Sequence, residues 1–180
     1  MVSTCIRISA RTDKKEPKIG LLNIGSEAIK GTDAVKRAAE LLENCHGINY
    51  IGFIEGDDLF KGTADVVVCD GFVGNVALKS SEGLINMIIK LLKSEFSKSI
   101  YSKLLGLFIK PILSKVSGYV DPRKYNGGSL LGLRGVVIKS HGGAKKEAFM
   151  SAIKNAMIEA EKNVPSQINE RVTSLLQDSI

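Results

Sequence analysis

Asp70, Gly71, Phe72, Val73, Gly74 and Asn75 follow the apolar run Val66–Cys69, and Lys79 stands four positions beyond Asn75. The uninterrupted valines predict a parallel strand buried on both faces. The residues after it predict a Gly-rich turn opening onto a helix. In open α/β sheets, ligands bind outside the carboxyl ends of the strands. Gly71 and Gly74 let the backbone approach a ligand closely or take positive φ. The helix that follows offers unpaired N–H groups and a positive dipole end. Lys79 shares a helix face with Asn75 and can neutralise a phosphate. Asp70 can orient a donor or hold the turn. The plainer alternative is a structural turn with an exposed lysine. Glu82 and Gly83 suit packing or an internal ion pair.

Two further clusters carry the same chemistry. Asn23, Ile24, Gly25, Ser26 and Glu27 follow the apolar run Lys18–Ile24, with Lys30 and Gly31 close behind. Asn23 and Gly25 are candidate phosphate contacts, although ordinary turn chemistry accounts for such residues too. Lys139, Ser140, His141, Gly142, Gly143 and Ala144 carry a strand into the start of a helix. The amides at Gly142 and Gly143 suit an anion, and Lys139 adds a cation. His141 can donate or carry a proton.

The fourth feature is a basic amphipathic segment over residues 98–120. Lys103, Lys110 and Lys115 flank Leu104, Leu105, Phe108, Ile109, Ile112 and Leu113. From Lys98 to Lys124, six basic residues stand against Asp121 alone. Such a helix fits a membrane interface, a dimer contact or a core position. A dimer doubles the patch and raises membrane avidity. The same lysines can steer an acidic carrier protein.

These residues need a scaffold, and 180 residues suffice for one domain with a sizeable core. Six Phe, four Tyr and no Trp make that core mostly aliphatic. The net charge of +6 lacks the aromatic or motif signature of a nucleic-acid reader, which argues against nucleic acid as a partner. Cys5, Cys45 and Cys69 show no metal-ligand spacing, nor do His46 and His141. Reduced thiols and the cytoplasm follow. Cys69 reads as core. No apolar run approaches the ~20 residues of a membrane span.

Strands are expected at Lys18–Ile24, Asn49–Ile54 and Asp65–Cys69. Thr32 or Asp33 caps a helix with Val35, Ala38, Ala39 and Leu42 on one face, and Asp57–Phe60 is a short helical turn. Strands alternating with helices predict βαβ units and a parallel sheet. A long helix is expected over Val73–Phe96, with Val76, Leu84, Ile88 and Leu91 as its apolar stripe. A second runs over Ile100–Val116 and breaks or kinks at Pro111. Asp121–Asn126 reads as a polar linker. Ser129–Leu133 and Gly135–Lys139 read as a hairpin or bent pair. Lys145–Lys162 is a helix with Phe149, Ala152, Ile153 and Met157 on one face. Pro165 interrupts it before a last helix at Gln167–Gln177.

The stretch EGDDLFKGTADVVVCDGFVGNVALKSSEG at Glu55–Gly83 resembles the phosphate acyltransferase family, the fatty acyl-phosphate synthases of bacterial phospholipid synthesis. GLLNIGSEAIKG, INYIGFIEGDDL and LLGLRGVVIKSHGGA support the match. The resemblance runs from about Glu16 to about Val164 and covers the family's C-terminal half. Residues 1–15 are expected as an unmatched, disordered tail, and 16–180 as a single α/β domain. The implied fold is three-layer α/β/α with a mostly parallel sheet, of the isocitrate dehydrogenase-like and phosphotransacetylase-like group, incomplete on its N-terminal side. The implied reaction forms acyl phosphate from a long-chain acyl carrier protein thioester and inorganic phosphate. Lys79, Asn75 and His141 take the catalytic roles. No metal and no organic cofactor are implied. A homodimer, peripheral on the cytoplasmic face of a membrane, is implied as well. Two other readings stand beside this one: a non-catalytic remnant or half of a split enzyme, and acyl transfer from a small acyl-CoA.

Overall fold

The computed structural model describes residues 3–6, 16–45, 47–119 and 126–177. His46 and residues 121–125 of the expected linker lie outside them. The chain divides into two compact units at Ser81–Glu82.

The first unit is built on a four-stranded sheet ordered β1-β4-β2-β3. Its strands are β1 (Ser3–Ile6), β2 (Ile19–Leu22), β3 (Tyr50–Ile54) and β4 (Val66–Asp70). β2 pairs parallel with both β3 and β4, as the alternation of strands and helices predicts. β1 pairs antiparallel with β4, from Ser3 opposite Asp70 to Ile6 opposite Val67. β1 falls within the segment 1–15 expected as a tail; the rest of that segment lies outside the described residues. Helix α1 (Asp33–Glu43) joins β2 to β3 and packs against β3. Thr32 caps it by accepting from the Val35 amide at 3.4 Å.

Val67 is fully buried and Cys69 nearly so, while Val66 and Val68 are half-buried. β4 thus has one wholly covered face, where the valine run predicts two. On that face Val67 and Cys69 join Leu22, Ile54, Leu59 and Ala64, with Ile51 and Ala77 packed alongside. Burying each large aliphatic side chain there is worth about 1.5–3 kcal/mol. At the amino ends of the strands, the buried Asp65 carboxylate accepts from the Lys18 amide at 3.0 Å. The Lys18 carbonyl in turn accepts from the Asp65 and Val66 amides. This exchange locks β2 against β4.

Helix α2 (Gly71–Ser97) begins on the residue after β4, so the expected Gly-rich turn is absent. Neither Gly71 nor Gly74 takes a positive φ. The C-terminal part of α2 belongs to the second unit, with helix α3 (Ile100–Tyr119), the short antiparallel pair β5 (Gly128–Ser129) and β6 (Ile138–Lys139), helix α4 (Lys146–Glu161) and helix α5 (Val164–Gln177). α3 runs through Pro111 instead of ending there. A proline removes one amide from the ladder, and helical residues on both sides carry the helix across it. Asn163 takes the left-handed conformation between α4 and α5, and Pro165 falls in the first turn of α5, where its missing amide costs little.

The apolar stripes of the helices are less covered than their spacing predicts. In α4 only Ala148 and Ala152 are buried, while Phe149, Ile153 and Met157 stay about half-exposed. In α2, Val76, Leu84, Ile88 and Leu91 do the same. The close contact in this unit is Gly127 against α4. It has φ +110°, and a Cβ there would lie 2.8 Å from the Ala152 Cα. Gly127→Ala should therefore destabilise the chain by about 1–3 kcal/mol in urea titration. Gly128→Ala, which meets open space, is the control and should change the midpoint little.

Candidate functional site

In the first unit the parallel strands β4, β2 and β3 deliver three segments to one edge of the sheet. These are Asp70 with the start of α2, the loop Asn23–Gly31, and the turn at Glu55. The edge is the one where open parallel sheets bind ligands.

Asp70 is the N-cap of α2. Its Oδ1 accepts from the Phe72 amide at 2.8 Å and the Val73 amide at 3.4 Å. A carboxylate there satisfies two of the helix's orphan donors and offsets the positive dipole end. An incoming anion therefore finds these two amides engaged. Gly74 is buried within the first turn, and Asn75 and Lys79 are exposed one helical turn apart. The helix end itself therefore offers an anion little positive charge.

Asn23 serves its own loop. It is buried, its Nδ2 donates to the Lys30 carbonyl at 3.2 Å, and its Oδ1 accepts from the Ile24 amide at 2.9 Å. Gly31 closes this loop at φ +92°, where a Cβ would strike the Asn23 side chain. Gly25 is also buried. Glu27 and Lys30 pair at 2.7 Å across the loop. The Lys30 hydrogen bond holds the Glu27 carboxyl below its ordinary range, and the same bond raises the Lys30 ammonium. At β3, Asp58 Oδ2 accepts from the Glu55 amide at 3.0 Å. That bond, followed by the one from Lys61, lowers the Asp58 carboxyl.

In the second unit, Lys139, His141, Gly142 and Gly143 lie on one exposed turn that leads into α4. Its organiser is Asn126, expected as part of a linker but buried here. Asn126 Nδ2 donates to Ser140 Oγ and to the Ala148 carbonyl, both at 2.8 Å. Its Oδ1 accepts from the His141 amide at 2.8 Å. Asn155 Nδ2 donates to the Asn126 carbonyl at 3.3 Å. The sequence signal was Asn-Gly-Gly ahead of an apolar run, a turn signature. The Ala144 amide donates to the His141 carbonyl and closes the turn. Lys145 occupies the N-cap of α4 and makes no capping bond. A lysine has no acceptor to give. The two helix starts thus differ: Asp70 caps α2 through its side chain, whereas α4 has no side-chain cap and carries Glu147 in its first turn beside Lys145 and Lys146.

On α3, Lys103 and Lys110 line a groove with Leu113, while Leu104, Leu105 and Phe108 are exposed and Lys115 stands with them on the outer side. Among the described residues no cluster of His, Cys, Asp and Glu is fit to hold a metal, and no helix is long and apolar enough to cross a membrane.

Asn126→Ala should cost about 2–4 kcal/mol in denaturant titration, because it orphans buried partners on two segments. Asn126→Asp should also destabilise, since a carboxylate cannot donate to the Ala148 carbonyl. For Asp58 the sign follows from its lowered carboxyl. Its stabilisation is present above the unfolded value near 3.8 and is lost as pH falls through the folded value beneath it. Acid unfolding profiles of wild type and Asp58→Ala should therefore differ at neutral pH and converge at the acid end.

The family model described as "Fatty acid synthesis protein" matches residues 5–167. The match begins upstream of Glu16, inside the segment expected to be unmatched. A phosphate acyltransferase of Methylococcus capsulatus is 55% identical over 168 residues, which are 93% of this chain and 49% of that protein. One of Alkalilimnicola ehrlichii is 56% identical over 161 residues, 89% of this chain and 47% of its own length. One of Legionella pneumophila is 47% identical over 173 residues, 96% and 51%. The chain spans about half the length of the curated relatives it matches. A match over so much of its own length means that the chain belongs to the fatty acid synthesis protein family, together with the phosphate acyltransferases it resembles.

Proposed function

We propose that this chain contributes to the transfer of a long-chain acyl group from an acyl carrier protein thioester to inorganic phosphate. The observation that carries the reading is 47–56% identity, over most of the chain, to proteins named phosphate acyltransferase. In the proposed step a phosphate oxygen attacks the thioester carbonyl carbon. The new C–O bond forms as the C–S bond breaks. The thiolate leaves on the carrier and takes up a proton, giving acyl phosphate and free carrier. Phosphate is an adequate nucleophile once held, so the protein's task is positioning and charge stabilisation.

Lys79 and Asn75 take the charge work at the start of α2, because Asp70 already holds the Phe72 and Val73 amides. Gly71 and Gly74 fix the backbone there, and Asn23 and Gly25 shape the neighbouring loop. His141 acts as donor to the leaving sulfur. Lys139 and the amides at Gly142 and Gly143 supply further anion contacts, on a turn whose helix has no side-chain cap. The sheet fits the three-layer α/β/α architecture expected from the resemblance. The outer stripe of α3 suits a cytoplasmic membrane face or a second copy of the chain, and the lysines suit an acidic carrier protein.

A second reading has one observation in its favour, the apolar stripes of α2 and α4 that stay about half-exposed. In it the chain works only with a partner chain, as half of a split enzyme, or is a non-catalytic remnant. The deciding assay is release of free carrier from palmitoyl carrier protein, with phosphate present and absent, using the 180-residue chain. Phosphate-dependent release should fall by about 10²–10³ in Lys79→Ala. A folded chain that releases nothing rejects stand-alone activity and favours the second reading.

A further inference from the structure

Two backbone groups of unambiguous polarity fix which way the Asn126 carboxamide points. The Ala148 carbonyl can only accept, and it lies 2.8 Å from Nδ2. The His141 amide can only donate, and it lies 2.8 Å from Oδ1. A flipped carboxamide would set oxygen against oxygen and N–H against N–H, with Asn126 itself buried. Nδ2 therefore spends one hydrogen on Ala148 and has one left. Ser140 Oγ, at 2.8 Å, takes it.

The polarity of Ser140 follows from that of Asn126. Facing an N–H, its oxygen accepts, and its own O–H is turned to another side. Among the described residues that hydrogen reaches no acceptor. A hydroxyl that accepts one hydrogen bond donates the next more strongly. Ser140 is half-buried, whereas Lys139, His141, Gly142 and Gly143 around it are exposed. It directly follows β6, and the buried Asn126 anchors its oxygen from behind.

Asn126 thus takes one donor from the turn and directs another. The His141 amide is spent on Oδ1 and is closed to an anion. The Ser140 hydroxyl stands one residue away, oriented before any ligand arrives. Donors held in place in advance stabilise charge without a cost of reorganisation. Lys139 stands next to it and adds a cation.

We infer that Ser140 is a substrate-contacting residue, whose hydroxyl, directed by Asn126, donates to an oxygen of inorganic phosphate held beside Lys139 and His141. The choice of phosphate rests on the proposed acyl transfer to phosphate; the direction of the hydroxyl does not. Asn126 is then a positioning residue that acts through Ser140.

Titration calorimetry of the 180-residue chain with inorganic phosphate tests the inference, with urea titration of each variant to establish that it is folded. Saturable binding is expected. Ser140→Ala should weaken it by about tenfold or more, since a donor to a charged group is lost. Ser140→Cys, a poor donor of similar size, should weaken it as well, and serves where Ser140→Ala does not fold. Ser140→Thr keeps the hydroxyl and should stay within about threefold. In the carrier-release assay Ser140→Ala should raise KM for phosphate by a similar factor and change kcat less. A serine that only satisfies Asn126 would lower the urea midpoint when replaced and leave phosphate affinity unchanged. Unchanged affinity in folded Ser140→Ala or Ser140→Cys therefore overturns the inference, as does a wild-type chain that binds no phosphate. Unchanged affinity with phosphate-dependent release intact would sink the Ser140 contact alone. Phosphate binding that depends on Ser140, in a chain that releases no carrier, would support the contact and sink stand-alone acyl transfer alone.

Discussion

The carboxylate of Asp70 is the constraint on which the start of α2 depends. β4 ends and α2 begins with no residue between them, so the first amides of the helix have no loop to satisfy them. Asp70 satisfies two of them from the strand's last position. That bond fixes the phase of α2, and the phase decides that Gly74 is buried while Asn75 and Lys79 are exposed. It also decides the electrostatics. A helix start alone attracts anions, but one already holding a carboxylate attracts them far less. An anion at this edge therefore gains little from the dipole of α2.

The second unit solves the corresponding problem differently. The turn before α4 is held from behind by Asn126, whose carboxamide gives both of its donor bonds and accepts one. An asparagine can do this where an aspartate cannot, because the Ala148 carbonyl needs a donor. With its backbone anchored through the buried Asn126, the turn leaves Gly142, Gly143 and the His141 side chain outside. The start of α4 needs no capping side chain to hold the turn: Lys145 stands at the cap position, and Glu147 is the acid of the first turn. Gly127 belongs to the same assembly. Only a residue without Cβ lets the Asn126 segment lie this close to Ala152.

What the sequence disclosed followed from periodicity and punctuation. The valine run, the Thr32 cap and the spacing of α1, α2 and α4 placed their elements within a few residues, because each signal is local. The same local logic misjudged Asp70-Gly71. Two glycines suggest a turn, yet a cap that satisfies the helix amides makes a turn unnecessary. It passed over Asn126 because burial of a lone polar residue depends on partners as far along the chain as Ala148, which no local pattern encodes. Asp65 was passed over for the same reason, since its acceptor role serves Lys18. Pro111 was read as a break or a kink because the rule weighs one lost hydrogen bond; the helical turns on either side carry α3 through it.

Burial is where pattern and structure part most widely. An amphipathic stripe says which face is apolar, but not what covers it. The stripes of α2 and α4 are uncovered for much of their length, in a chain that spans half of its relatives. α3 refines this further, because its sequence reads as one broad apolar face flanked by lysines. Helical geometry splits that face in two. One half is open, with Tyr101 and Phe108 among the most exposed residues of the molecule. The other meets α2 where Gly106 lies against the Phe96 ring. Only a residue without Cβ lets the two helices come this close, so the sequence signal for that contact is a single glycine and not the apolar stripe.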